Sequence, residues 1–444
     1  MLTFKEDQDF KALRGHILNP LSDTSCQCFP DGIIVARRKS GVWLVEALGD
    51  ASSIAENYQL DLDDVPVNSG VVLPPFYDIH FHWVQDDVRE MPKESLLEWL
   101  ERYTFPEEAR FADPDYSEVK AKHFWSRILA TGTLGGLCYS SIHSVALDAA
   151  MKYAPSGFRI GGSLMTMNCP GFLRQTVDEA VGAASYGAKT YGDRYCITPR
   201  FAPTTHPEVM TAAAKLAENS GLFQQTHLDE TIAEIEWVLG IYSEIDGFDD
   251  IQNYTEIYER CGVLGPRTVM GHAIHLEPEE LELLAKTDTA LASCPTSNAP
   301  PEDFGLGSGL FNFEQVESHG IRWALASDIG GGPFLSMFDV IESFVQQNRQ
   351  IGRSSATYTK ALYRSTLAGA EILEYGEAKG NFAIGKEFDC IQCQSPEGMR
   401  IPSNAEESIA QLIGQVRTRS DYDALVSSAV LNGEVIFERA PLKA

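Results

Sequence analysis

Hydrophobic and polar positions along the chain fall into two rhythms. From about residue 71 to 375, short and nearly continuous apolar runs alternate with segments whose apolar residues recur every three or four positions. The runs are "GVVLPPFYDI", "TLGGLCY", "FRIGGSLMTM", "YCITPRFA", "LFQQTHL", "RTVMGHAIHL", "TALASCP" and "IRWALASDI", eight in all. Parallel strands covered on both faces read in this way. The segments between them carry helix punctuation. "DPDYSEVKAKHFWSRILATG" offers Asp113 as an N-cap with Pro114 in the first turn, and "HPEVMTAAAKLAENSG" has Pro207 near its start and Gly221 just past its end. Eight strand–helix units predict an α/β fold, a (β/α)8 TIM barrel over residues 71–376.

The flanks are different. Residues 1–70, with "GIIVARRKSGVWLVEAL", and 377–444, with "NFAIGKEFDCIQCQ" and "AVLNGEVIFERA", break into short strand-like pieces punctuated by glycine. The Asn432-Gly433 pair is a hairpin signal. These pieces predict a small β-sandwich domain formed by both chain termini. The length of 444 residues suits a barrel of roughly 250 residues or more with such a domain attached.

Charge changes the picture more than composition does. A hydrophobic share of 44% with 22% charged residues is ordinary, but 35 basic residues against 63 acidic ones give a net charge of −28. Such a surface repels nucleic-acid phosphates and anionic membranes, so neither is expected as a partner, while a free base or nucleoside is compatible. No run approaches the roughly twenty apolar residues of a membrane span. The opening "MLTFKEDQDFKALRG" lacks a signal-peptide apolar core. Nine scattered cysteines, an odd number, predict reduced thiols and a cytoplasmic location. The "CQC" of Cys26 and Cys28 and the "CIQC" of Cys390 and Cys393 read as structural, because no second C-x-x-C completes a four-cysteine site.

The candidate chemistry lies at the ends of the apolar runs. "YDIHFHWVQ" sets His80 and His82 two positions apart at the tip of the first strand, on one face. In a (β/α)8 barrel the chemistry sits at the C-terminal strand ends. The same ends carry His227 after strand 5, His272 after strand 6 and Asp328 after strand 8. Each alone could be a core histidine or a turn cap, but together they predict a metal site. Four imidazoles and a carboxylate suit zinc, with Fe2+ as the alternative. Glu230, three residues after His227, is placed for proton transfer beside such a metal; its plain alternative is a solvated helix start. His275 is expected to stay outside the ligand set.

This pattern of H-x-H, His, His and Asp, with a glutamate three past the strand 5 histidine, resembles the amidohydrolase superfamily. The stretches "HFHWVQ", "LLEWLERYTFPEEARFAD", "ATGTLGGLCYSSIH", "ITPRFAPT", "THLDETIAEIEWV", "CPTSN", "GLGSGLF" and "SDIGGG" resemble its guanine deaminase group, over about residues 70 to 375 with weaker likeness in both flanks. The resemblance implies His80, His82, His227, His272 and Asp328 as ligands of one divalent metal per chain, and a homodimer. It implies Glu230 as the proton shuttle and Asp328 as the group that takes a proton from water. Gln85, Arg200 and Phe201 would bind the substrate; a cationic fork, an amide and an aromatic face suit the acceptors and the flat ring of guanine. The implied reaction is hydrolysis of guanine to xanthine and ammonia, with oxidised guanine, a pterin or a triazine as alternative substrates.

Three rivals fare less well. Two-metal relatives resemble enzymes with a carbamylated lysine on strand 4, whereas "ITPRF" has Arg200 and no lysine at that tip. The other zinc deaminase architecture needs P-C-x-x-C, which is absent. A non-catalytic scaffold should have lost a ligand or Glu230, yet all six residues are present. Two departures from the group bear on substrate. "APPEDFG", residues 299–305, lengthens the loop after strand 7 by roughly five residues; the plain reading is a tolerated surface insertion, the sharper one that Glu302, Asp303 and Phe304 reach the mouth of the site and narrow substrate choice. Trp83 and Val84 are expected at the mouth of the site.

Overall fold

A computed structural model describes residues 2–394, 402–416 and 418–439. The chain divides into two compact units: residues 1–77, 126–134 and 335–444 form the first, and 78–125 and 135–334 the second.

The eight apolar runs supply eight strands: β1 (Phe76–His82), β2 (Thr133–Ser140), β3 (Gly157–Leu164), β4 (Cys196–Pro199), β5 (Phe223–Leu228), β6 (Thr268–His272), β7 (Ala290–Ser293) and β8 (Trp323–Leu325). They lie side by side in chain order in one sheet, and the pairings from β2 through β8 are parallel. Every residue of β1 and β2 is buried, which is why these stretches carry no polar alternation. Past β8, the Asp328 N–H donates to the His80 carbonyl and the His82 N–H to the Ile329 carbonyl, each at 2.9 Å. Those two bonds draw the sheet round into a barrel.

The helices begin where their caps require. Asp113 accepts from the N–H groups of Asp115 and Tyr116 at the head of Pro114–Ala130. Thr231 and Glu234 form a reciprocal capping box on Ile232–Tyr242. Pro207–Ser220 ends at Gly221, as its punctuation predicts.

One boundary differs from the sequence reading. The "GVVL" at the front of the first run belongs to Val67–Leu73, a strand of the other sheet, and β1 starts only at Phe76. Pro74 and Pro75 lie between them; two successive residues without an N–H cannot continue a ladder, so one apolar run becomes two strands.

The sheet of the first unit is built from both chain ends. Its order is Glu434–Glu438, Val426–Leu431, Cys390–Cys393, Val67–Leu73, Phe10–Ser22, Ser25–Lys39, Val42–Asp50, with Lys5–Glu6 beside Phe10–Ser22. All pairings are antiparallel except that of Phe10–Ser22 with Val67–Leu73. Neighbouring residues feed separate apolar clusters: Ile33 and Val35 join Ala51 and Ile54, while Ile34 and Ala36 join Val45, Val72 and Val430. That is the two-residue period at work. The turn at Asn432-Gly433 joins the last two strands. Among the described residues, no helix is long and apolar enough to cross a membrane, and all nine cysteines are free thiols.

Candidate metal centre and active site

Five side chains from four segments meet at the C-terminal end of the barrel. His82 Nε2 lies 3.1 Å from His227 Nε2. Asp328 Oδ1 lies 3.4 Å from Nε2 of both His80 and His82. His272 Nε2 stands slightly further out, 4.0 Å from Asp328 Oδ2 and 3.5 Å from Glu230 Oε2. Two overlapping groups, His80 with His227 and His272, and His80 with His82 and Asp328, keep their ligand atoms within 4.8 Å of one another. Atoms held about 2.0–2.2 Å from one ion are themselves about 3–4 Å apart, so the spacing fits a single cation.

Sequence and backbone both serve this convergence. His80 and His82 leave β1 on one face, as i and i+2 must. Gly271, just before His272, leaves room for the first imidazole: a Cβ there would lie 2.3 Å from Cε1 of His80. Asp229, His272, Ala273 and Asp328 all hold a positive φ, between 46° and 72°. Non-glycine residues rarely adopt that conformation, and here four of them cluster at the ends of β5, β6 and β8, where side chains must be re-aimed.

The hydrogen bonding calls for a cation. Both ring nitrogens of His80 and Nδ1 of His82 are buried without a partner, which is costly for any polar group left so. His227 Nδ1 donates to the Arg200 carbonyl at 2.7 Å; the carbonyl can only accept, so Nε2 carries the free lone pair. Burial, together with the neighbouring imidazoles, pushes His80, His82 and His227 well below the ordinary histidine range. His272 is lowered too, by burial against the opposing charge of Asp328. Neutral imidazole is the form that binds a metal.

Beside this cluster lies a small cavity. Gln85, Arg200 and Phe201 all line it, together with His82, His227, Glu230, His272 and Asp328. Leu96, Trp99, Leu100 and Leu306 supply apolar walls, a mixture suited to a flat ring with a few polar edges. Burial first, and then the charge of Asp328, push the Glu230 carboxyl up to about 8. Burial also raises Asp328, whose Oδ2 accepts from Ser297 Oγ at 2.6 Å.

Several contributors were not singled out from sequence. Ser308 Oγ and Asn298 Nδ2 donate to Glu230 Oε1 at 3.0 and 3.3 Å. With Ser297 they come from "CPTSN" and "GLGSGLF", so the motif gave the place but not the partner. Glu108, inside "YTFPEEARFAD", accepts from Gln85 and Arg200. His275 turns away to the Ser308 carbonyl and stays out of the ligand set.

One expectation is corrected. Trp83 is fully buried, its Nε1 donates to Ser140 Oγ at 3.0 Å, and it packs edge-on against Phe111; like Val84 it lies in the core and does not line the cavity. His82 is the last residue of β1, and the chain turns there so that the next side chain meets the Phe111 and Phe124 rings. The 299–305 loop follows the plain reading of a surface insertion: Glu302, Asp303 and Phe304 are exposed, and the wall is formed by Leu306. The carbonyls of Ala299 and Pro300 bind the loop's own N–H groups, of Gly307 and of Asp303 and Gly305, so the insertion folds on itself.

Comparison with known proteins accords with this geometry. A family model described as the amidohydrolase family matches residues 71–416. A guanine deaminase of Escherichia coli (strain K12) is 28% identical over 452 residues, covering 98% of this chain and 99% of the relative. The solved structure of an E. coli guanine deaminase superposes with a TM-score of 0.83 at 27% identity, over 97% of this chain and 100% of that one. A guanine deaminase from C. acetobutylicum, with guanine bound in its active site, gives a TM-score of 0.82 at 24% identity and the same coverage.

Proposed function

The chain belongs to the amidohydrolase family as a guanine deaminase-like member, and from that premise we propose that it hydrolyses guanine to xanthine and ammonia at the strand-end site. The observation that carries this reading is that four of the five metal-type donors, a buried glutamate and the Gln85–Arg200–Phe201 wall line one cavity, with the fifth donor, His80, buried in the same cluster. His80, His82, His227 and Asp328 would hold one divalent ion, with His272 as the fifth donor on the cavity side. Zinc is the ion this nitrogen-rich set favours, with Fe2+ as the alternative. When bound, such an ion lowers the pKa of a coordinated water toward ~7.

The chain's own groups do the rest. Asp328, oriented by Ser297, accepts a proton from the attacking water. The water oxygen bonds to the ring carbon that bears the amino group. Glu230, held by Ser308 and Asn298, passes a proton to the adjacent ring nitrogen. The proton held by Asp328 reaches the amino nitrogen, the carbon–nitrogen bond breaks as the hydroxyl on that carbon gives its proton back to Glu230, and ammonia leaves from what is now xanthine. Arg200 and Gln85 face the acceptor edge of the purine, and Phe201 packs on its ring. A homodimer and a cytoplasmic location complete the proposal; the free thiols support the latter.

Ammonia release across guanine, oxidised guanine, pterins and triazines tests the substrate. Guanine should have the highest kcat/KM; a pterin or triazine turned over faster would move the reading to that heterocycle. Arg200→Lys should cut kcat/KM for guanine about 10- to 100-fold, since a point charge cannot replace a planar two-pronged donor. If Arg200 were only structural, the variant would lose Tm without a selective loss for guanine. Glu302→Gln with Asp303→Asn should leave the kcat/KM ratio between neutral and anionic aminopurines within about twofold, because exposed charges are screened and surface changes are small. A larger shift, read from steady-state kinetics on both classes, would restore the loop to a role in selectivity.

A further inference from the structure

Two glutamates stand side by side in "YTFPEEARFAD", and the fold gives them different partners. Glu107 accepts from Arg110 at 2.7 Å and from the Tyr116 hydroxyl. Glu108 is completely buried. Its Oε1 accepts from Gln85 Nε2 at 2.8 Å, and its two oxygens accept from Arg200 Nη1 at 2.7 and 2.8 Å. Glu108 lies on Phe105–Arg110, and Phe105, three residues earlier on the same helix face, holds its ring 5.5 Å from the Arg200 guanidinium carbon. Both groups that would read the substrate are therefore tied to one buried carboxylate.

We propose that Glu108 is the positioning residue of the substrate pocket, and that by cancelling the Arg200 charge it makes this wall selective for an uncharged heterocycle. The positioning is specific on both arms. A carboxylate only accepts, so it fixes the Gln85 amide with its nitrogen on Glu108 and its oxygen elsewhere. That oxygen packs against Gly330, where a Cβ would lie 2.0 Å from Oε1, so the amide is held from both ends. On Arg200, Glu108 occupies Nη1 and leaves the rest of the guanidinium edge for the ligand. Without the carboxylate, Arg200 would be a buried cation with no counter-ion, an arrangement that favours anions.

The inference rests on the purine reading of the site, and the test keeps the two apart. Wild-type holoenzyme is assayed first for the substrate it turns over best; the comparison below is then made with that substrate, so guanine can fail while Glu108 is still judged. Glu108→Gln holoenzyme should keep its metal and a kcat within about threefold of wild type, while KM rises about fivefold or more, the signature of lost ground-state positioning. Inhibition by xanthine, a weak acid, should move the other way: at alkaline pH its Ki relative to KM should fall, because the unpaired Arg200 attracts the anion. Glu108→Asp, which keeps the charge on a shorter arm, should show a smaller rise in KM and no gain in xanthine binding. If Glu108→Gln does not accumulate as folded protein, Glu108→Asp decides alone through its KM. An unchanged KM in the folded variant tested would overturn the proposal. So would a rise in KM and in xanthine Ki by the same factor in Glu108→Gln, which would mean that Glu108 merely supports the fold.

Discussion

His80→Ala and His227→Ala should each lose the metal and turnover together, by a factor on the order of 10^4 or more, because the activated water goes with the ion. The two histidines come from β1 and β5, and their ligand atoms belong to one cluster. Elemental analysis of wild-type protein should return one divalent ion per chain and the variants close to none. Wild-type Tm should exceed that of the variants and fall on chelation, since a ligand bound only to the folded state adds stability. Two ions per chain, or a His227→Ala enzyme that keeps both metal and activity, would contradict a single site built on these residues.

Glu230→Gln should do the opposite with the metal and nearly as much harm to the rate. The amide keeps the size of the side chain and can still meet Ser308 and Asn298, so the ion and the fold should remain. It cannot carry a proton between water and ring nitrogen, and positioned acid–base groups contribute typically ~10²–10⁴-fold. Full metal occupancy with kcat reduced by that order is the expected result. Near-normal kcat with full occupancy would remove Glu230 from the proton path.

The barrel was legible because strands buried on both faces leave uninterrupted apolar runs, and the metal cluster because the barrel rule says where along each run to look. His80, His82, His227, His272 and Asp328 are strand-end residues, and the fold brings them within a few ångströms. What the sequence hides depends on contacts between distant segments. Whether "GVVLPPF" is one strand or two turns on Pro74 and Pro75 and on a sheet whose other strands come from both chain ends. Glu107 and Glu108 are indistinguishable as letters and both are buried, and only the packing of their helix against Arg200 decides which one meets the guanidinium. Trp83 follows the candidate ligand His82 directly, yet the turn of the chain sends it into the core instead of to the cavity. Ser308, which meets Glu230 from 78 residues away, sits in a recognisable motif that says nothing of its partner.

Guanine hydrolysis at this site is tested most directly by incubating the metal-loaded enzyme with guanine in water enriched in oxygen-18, and following xanthine by mass spectrometry alongside ammonia. Xanthine carrying one heavy oxygen, formed one-for-one with ammonia in wild type and lost in His80→Ala and Glu230→Gln, is the expected result. Unaltered guanine from wild-type holoenzyme, or xanthine formed at the same rate by both variants, would contradict it.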